Sequence, residues 1–335
     1  MYKISENEEF KMLSSSRYNY VFDKATGFFC RWGKDKAEDP VWCEYGPEIL
    51  DIEVSTVCSR ACSWCYKSNN HQGKNMSFDI FKSILDKIPN TLTQVAFGIG
   101  SIDANKDLWK MMKYCRDKGV IPNITINGDR MTNKYANNIH NLCGAVAVSL
   151  YDKDICYQAV KELGINMGMK QTNIHYLFAK ETYRKAKDII KDASEGKIEG
   201  LNAIVFLILK PKGKRNNLSS PTKEQFNDLI QYAIDKKINF GFDSCSANKF
   251  IEAVKDSPDY KRYFECAEPC ESSIFSYYIN VDGVGYPCSF SEDVVKGVDV
   301  LNCNDFISDV WGAIKTKKFR GNLLNNGRNC PIYNI

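Results

Sequence analysis

The chain predicts an α/β protein, a partial (β/α)6 TIM barrel followed by a small cysteine-rich α+β module. Three observations predict this. Strand and helix patterns alternate six times between residues 48 and 237, which calls for a parallel sheet with helices outside it. In five of the six strands one face is polar or small. After residue 237 the alternation gives way to short strands, Gly- and Asn-rich turns and several cysteines.

Residues 1–47 read as a lead-in, with a hairpin over 18–34 around "DKATG". The barrel strands are expected at 48–55, 93–100, 122–128, 144–150, 170–178 and 201–209. Helical patterns lie between them, for example at 77–88, 105–119 and 222–237. Side chains alternate across a strand, so each splits into two rows. Asp51, Glu53 and Ser55 oppose Ile52 and Val54; Asn123, Thr125 and Asn127 oppose Ile124 and Ile126. Ala145, Ala147 and Ser149 oppose Val146, Val148 and Leu150, and His175 opposes Ile174 and Tyr176. An ordinary barrel fills its lumen with Val, Ile and Leu. Carboxylates, amides and alanines leave room for a polar ligand instead. The sixth strand is apolar on both faces and has no readable orientation. Residues 238–335 are assigned to the second module.

Bulk composition narrows the function classes. With 45 basic and 41 acidic residues in 335, the net charge is only +4, which argues against a dedicated nucleic-acid groove. The first twenty residues hold no apolar signal core, and no stretch reaches a membrane span. The expected location is therefore the cytoplasm, where thiols stay reduced. The 14 cysteines then read as metal ligands or small buried residues rather than disulfides. No P-loop or dinucleotide fingerprint is present.

"CSRACSWCY" places Cys58, Cys62 and Cys65 three residues beyond Ser55, past the C-terminal end of the first strand. Active sites of βα barrels sit at that end. Three thiolates suit a [4Fe–4S] cube whose fourth iron stays open for chemistry. The alternative is a zinc site completed by His71, as C-x3-C-x2-C-x5-H.

The pattern C-x3-C-x-aromatic-C, formed by Cys58, Cys62, Trp64 and Cys65, resembles the radical S-adenosylmethionine (radical SAM) family, over residues 48–210. The resemblance implies that the three cysteines hold a [4Fe–4S] cluster. S-adenosylmethionine would chelate the open iron through its amino and carboxylate groups and, on reduction, yield a 5′-deoxyadenosyl radical. It also implies cofactor contacts at Gly98 and Gly100, in "FGIGS" where the family often has Gly-Gly-Glu, although the acidic residue is missing here. Asn127 and Ser149 stand where ribose or carboxylate contacts fall, and Trp64 where an aromatic lies near the adenine.

Beyond the barrel, Cys270 to Cys288 reads C-x12-G-x4-C with Gly283 in "VDGVGYPC". This resembles the SPASM/twitch module, a hairpin carrying an auxiliary iron–sulfur cluster. The resemblance implies one auxiliary [4Fe–4S] cluster on Cys266, Cys270, Cys288 and Cys330, with Cys245 as the rival for the contested positions. Cys30, Cys43, Cys115, Cys143 and Cys156 sit singly and read as packing. His175 and Asp243 are candidates for proton or substrate contacts, and "LKPKGKR" (209–215) for a loop over the barrel mouth.

The expected function is abstraction of a hydrogen atom from a substrate, a peptide or protein first, with an electron donor such as flavodoxin or ferredoxin as partner. The alternatives are dehydrogenation or isomerisation of a small molecule, and a non-catalytic zinc- or iron–sulfur-binding regulator. A regulator has no need of a polar cavity.

Overall fold

The structure is a computed structural model that describes residues 1–35, 38 and 40–333. It contains two sheets. The first is an antiparallel meander of β1 (Lys3–Glu6), β2 (Phe10–Ser14), β3 (Asn19–Asp23) and β4 (Phe29–Trp32). The last two strands are the hairpin expected from the sequence; the first two were not.

The second sheet has ten strands. Six lie where the sequence placed them: β5 (Ile49–Glu53), β6 (Gln94–Gly98), β7 (Ile121–Ile126), β8 (Val146–Ser149), β9 (Thr172–Phe178) and β10 (Ala203–Ile208). Neighbours pair in parallel, in sequence order. A short seventh parallel strand, β11 (Phe240–Phe242), joins β10. On the other side, β12 (Ser276–Ile279) pairs in parallel with β5. It begins an antiparallel hairpin with β13 (Val284–Tyr286), which β14 (Val298–Asp299) extends. Gly283 turns this hairpin with φ 75°, a left-handed conformation that glycine adopts without strain. The order β11-β10-β9-β8-β7-β6-β5-β12-β13-β14 leaves the sheet open among the described strands. The α/β class with a parallel sheet is borne out. The segment after residue 237 adds strands to both ends of the same sheet.

Helices cover the apolar face because their own apolar residues recur on one side. Phe81, Ile84 and Leu85 of helix Phe78–Lys87 are buried with Leu50, Ile52, Val95 and Phe97 of the strands, and Met111 and Met112 of helix Leu108–Asp117 join them. Ser77 caps the first helix through Ile80 N, and Thr222 with Gln225 forms a capping box on helix Lys223–Asp235. Each cap contributes about 1 kcal/mol.

The meander docks at the N-terminal ends of the strands. Lys11 Nζ donates to Leu92 O at 2.8 Å and Tyr20 OH to Thr91 O at 2.8 Å, just before β6. The opposite, C-terminal ends are thereby left free to build a site.

Candidate active site

A cavity of about 480 Å³ opens among the strands, toward their C-terminal ends. Parallel register puts paired residues on one face: Asp51 beside Ala96 and Asn123, Thr125 beside Ala147, Ser149 beside His175. The polar row read from the sequence faces this cavity through Asp51, Glu53, Ser55, Thr125, Asn127, Ser149 and His175. The sixth strand is oriented by burial. Ile204, Phe206 and Ile208 are buried, whereas Val205, paired with His175, and Leu207 lie on the cavity side.

Cys58, Cys62 and Cys65 are half-buried and all three line this cavity. Their loop is pinned from several sides. Cys58 N donates to Asn70 O at 2.9 Å, Cys65 N to Cys62 O at 3.2 Å, and Ser68 N to Cys65 O at 2.9 Å. Ala61 and Ser68 take left-handed backbone, with φ 44° and 55°. From β6, Ser101 N donates to Val57 O at 3.2 Å and Ser59 N to Ser101 Oγ at 3.1 Å. A Cβ on Gly100 would fall 2.2 Å from Val57 O and 2.6 Å from Cys58 Cβ, so only glycine lets the two segments meet. From β10, the basic loop closes over the cysteines. Arg215 donates to Cys62 O at 3.3 Å and Asn69 O at 3.2 Å, and Gly213 lies against the Cys65 carbonyl.

The donor set fits an iron–sulfur cube. Burial and the neighbouring Cys58 and Cys65 push the Cys62 thiol up, with Arg60 acting the other way. A cationic group among the three sulfurs relieves that repulsion. Among the described residues, no three His, Cys, Asp or Glu side chains stand close enough to hold one ion. A cube takes each of three thiolates on a different iron. His71, the fourth ligand of the zinc alternative, is exposed and does not line the cavity.

The expected cofactor contacts share this cavity: Trp64, Gly98, Gly100, Asn127 and Ser149 all line it. Trp64 stands 6.4 Å from the Tyr151 ring, at a tilt. Asn127 is 5 % exposed; its Nδ2 donates to Gly100 O at 3.2 Å and its Oδ1 accepts from Asp129 N at 3.0 Å. It therefore ties the β7 end to the glycine segment. Gly98 lies close over β5, where a Cβ would stand 3.3 Å from Glu53 Cα.

An ionic framework surrounds the cavity that sequence reasoning largely missed. Lys67 Nζ lies 3.2 Å from Glu53 Oε1, pairs with Glu292 and donates to Tyr278 OH at 2.8 Å. Burial raises Glu53, whereas Asn280 and Lys67 hold Glu292 below the usual carboxylate range despite its burial. Lys210 pairs with Asp243, which also accepts from Ser246 Oγ at 2.6 Å and Ile208 N at 3.1 Å. Asp243 carries the Lys210 ammonium up in spite of burial. His175 sits 3.5 Å from Thr125 Oγ1, and burial brings it down to about 4, so it is neutral at physiological pH. Asp243 and the basic loop were visible as sequence features. The Lys67 cluster was not, because its partners lie far apart in the chain.

The second cysteine set converges only in part. Cys245 and Cys270 lie near enough to act on each other. That influence, with Ser272, whose Oγ is 3.3 Å from Cys270 Sγ, brings Cys270 down to about 6 and pushes Cys245 up. Burial and the Cys270 charge raise Cys288 to about 11. Tyr333 ties Cys330 to the segment after Cys288, its N donating to Cys330 Sγ at 3.4 Å and its hydroxyl to Phe290 O at 3.1 Å. Cys266 is exposed at the end of helix Tyr260–Cys266 and lines a separate pocket with Phe240, Phe242 and Phe250. Of the singly placed cysteines, Cys43, Cys115, Cys143 and Cys156 are buried and Cys30 is exposed.

Solved structures share the α/β fold with a parallel sheet read from the sequence. No protein-family model matches the chain. It is 28% identical over 203 residues to an uncharacterized protein of Methanocaldococcus jannaschii, covering 55% of this chain and 71% of that protein. It is 24% identical over 195 residues to the PqqA peptide cyclase of Bradyrhizobium diazoefficiens, covering 56% of this chain and 44% of the cyclase. Among solved structures, it shares the fold of Streptococcus suis SuiB bound to the precursor peptide SuiA. The TM-score is 0.71 at 13% identity, over 96% of this chain and 90% of SuiB. SuiB bound to S-adenosylmethionine superposes with a TM-score of 0.65 at 14% identity, over 83% of this chain and 68% of that one. Among the described residues no helix is long and apolar enough to cross a membrane.

Proposed function

We propose that this protein uses S-adenosylmethionine and a [4Fe–4S] cluster to abstract a hydrogen atom from a peptide or protein, and so modifies it. The observation that carries this reading is that Cys58, Cys62 and Cys65 open into the same cavity as the polar row of the sheet. The likenesses to PqqA peptide cyclase and to SuiB bound to its precursor peptide support a peptide as substrate.

The three cysteines would hold the cluster, and Trp64, Gly98, Gly100, Asn127 and Ser149 the cofactor. When bound, the pair supplies a 5′-deoxyadenosyl radical. The chain's own residues position and shield. The glycine segment and the loop carrying Arg215 fix the cysteine loop from two sides. Leu177, Leu207 and Leu209 give the cavity an apolar wall that limits water beside the reacting carbon. Cys245, Cys270, Cys288 and Cys330 would hold one auxiliary cluster; the mutual influence of the Cys245 and Cys270 thiols favours Cys245 over the exposed Cys266. Residues 1–47, 48–237 and 238–335 would act as lead-in, barrel and auxiliary module. A small acidic reductant such as flavodoxin or ferredoxin would supply the electron.

The test is anaerobic reconstitution followed by an iron count and an assay for 5′-deoxyadenosine under reduction. Wild type is expected to take up iron and form 5′-deoxyadenosine, and the triple variant Cys58→Ala/Cys62→Ala/Cys65→Ala to form none. A protein that binds zinc stoichiometrically and takes up no iron overturns the reading.

A further inference from the structure

The cavity has one charged group that the protein itself does not satisfy. Six ionisable side chains of the kinds Asp, Glu, Lys and His line it. Glu53 and Lys67 pair with each other, Lys210 pairs with Asp243, and His175 is neutral beside Thr125. Asp51 is different. Among the described residues it has no hydrogen-bond donor and no ion-pair partner. Its neighbours in register explain why. Ala96 offers no polar group, and the hydroxyl of Tyr278 is engaged with Lys67 and Glu292. The charge nearest in effect is another carboxylate, Glu271, which together with burial raises Asp51 to about 6.

A carboxylate kept at depth without a partner is unfavourable for folding. Structural carboxylates in this same cavity are given a lysine; this one is left open toward the space a ligand would fill. Groups held against the interest of stability are characteristic of binding sites.

We propose that Asp51 is a specificity-determining residue, whose free carboxylate receives a cationic side chain, an ammonium or a guanidinium, of the peptide to be modified. This rests on the reading of the chain as a peptide-modifying enzyme and names the chemistry of its substrate. The ligand completes the ion pair that the fold leaves half-built, by charge-assisted hydrogen bonds to Asp51. A neutral or acidic side chain leaves the carboxylate desolvated and unpaired, so discrimination comes from a penalty on the wrong substrate as much as from a gain on the right one.

The probes are four fluorescent pentapeptides with one variable residue among alanines: lysine, arginine, norleucine or glutamate. Binding to the reconstituted, S-adenosylmethionine-loaded protein is followed by anisotropy. Wild type is expected to bind the lysine or arginine peptide about tenfold more tightly than the norleucine one, the scale of a single charge-assisted hydrogen bond. Asp51→Asn, which keeps the shape, is expected to bring that ratio close to one, and Asp51→Lys to favour the glutamate peptide. A further readout separates recognition from a structural role. Asp51→Asn should raise the thermal midpoint, because an unpaired buried charge is removed. No preference in wild type, no binding of any of the four peptides, a preference that survives in Asp51→Asn, or a lowered midpoint in that variant each overturns the proposal. Loss of 5′-deoxyadenosine formation in wild type would instead overturn the cofactor chemistry, so the two failures are distinct.

Discussion

Gly100 shows how closely one residue can govern the site. Its missing side chain is what allows the end of β6 to lie against the cysteine loop, with Val57 O and Cys58 Cβ in the space a methyl group would take. The first of these obstacles is backbone, which cannot rotate away. Gly100→Ala is therefore expected to displace the loop at Cys58, destabilising the protein by about 1–3 kcal/mol and lowering the iron retained after anaerobic reconstitution. Chemical denaturation and an iron count check the two parts. Gly98 has a milder constraint, since an added Cβ there meets Glu53 Cα at 3.3 Å, so Gly98→Ala serves as the weaker comparison. Both glycines were visible in "FGIGS", but their reasons were not. A sequence shows a glycine; the carbonyl that demands it comes from a segment more than forty positions away.

At the scale of elements, the contest between two cysteines is the sharpest question. Cys245 follows β11 and acts electrostatically on Cys270, whereas Cys266 is exposed at a helix end. In the wild type, two cubes correspond to about eight irons. Cys245→Ala is expected to fall to about four irons, as is the double variant Cys270→Ala/Cys288→Ala, while Cys266→Ala keeps about eight. Equal iron in all variants would mean that these cysteines serve packing alone. The sequence could show the hairpin, because Gly283 and the alternation around it are local signals. It could not rank Cys245 against Cys266, since that ranking depends on where β11 ends relative to a hairpin formed by later residues. The same limit explains other gaps. β10 is apolar on both faces, so only its register with β9 and its burial reveal that Val205 and Leu207 lie on the cavity side of the sheet. β1, "KISE", is short and largely exposed, and gives no alternation to read. By contrast the six parallel strands, three helices and the polar row were all legible, because period and spacing are written locally.

In the molecule as a whole, the parallel strands and the C-terminal hairpin are fastened to each other through Lys67. This side chain leaves the cysteine loop, meets Glu53 of β5 and reaches Glu292 beyond the hairpin; the three side chains are 10%, 6% and 14% exposed. Lys67→Met keeps most of the bulk and leaves two carboxylates facing each other. A loss of about 3–5 kcal/mol is expected, as for a buried pair deprived of one partner, measured by denaturation of the cluster-free protein. The order of the large sheet carries a further consequence. β5 takes β6 on one side early, but its other edge waits for β12, and Val281 N reaches Glu53 across 228 positions of chain. At roughly 5–20 residues per second of synthesis, that edge stays unpaired for about 10–45 s. During that time the nascent sheet offers a bare strand, beside the loop with its three cysteines, to any neighbouring chain. Until the hairpin has been made, the newborn protein depends on whatever shelters it.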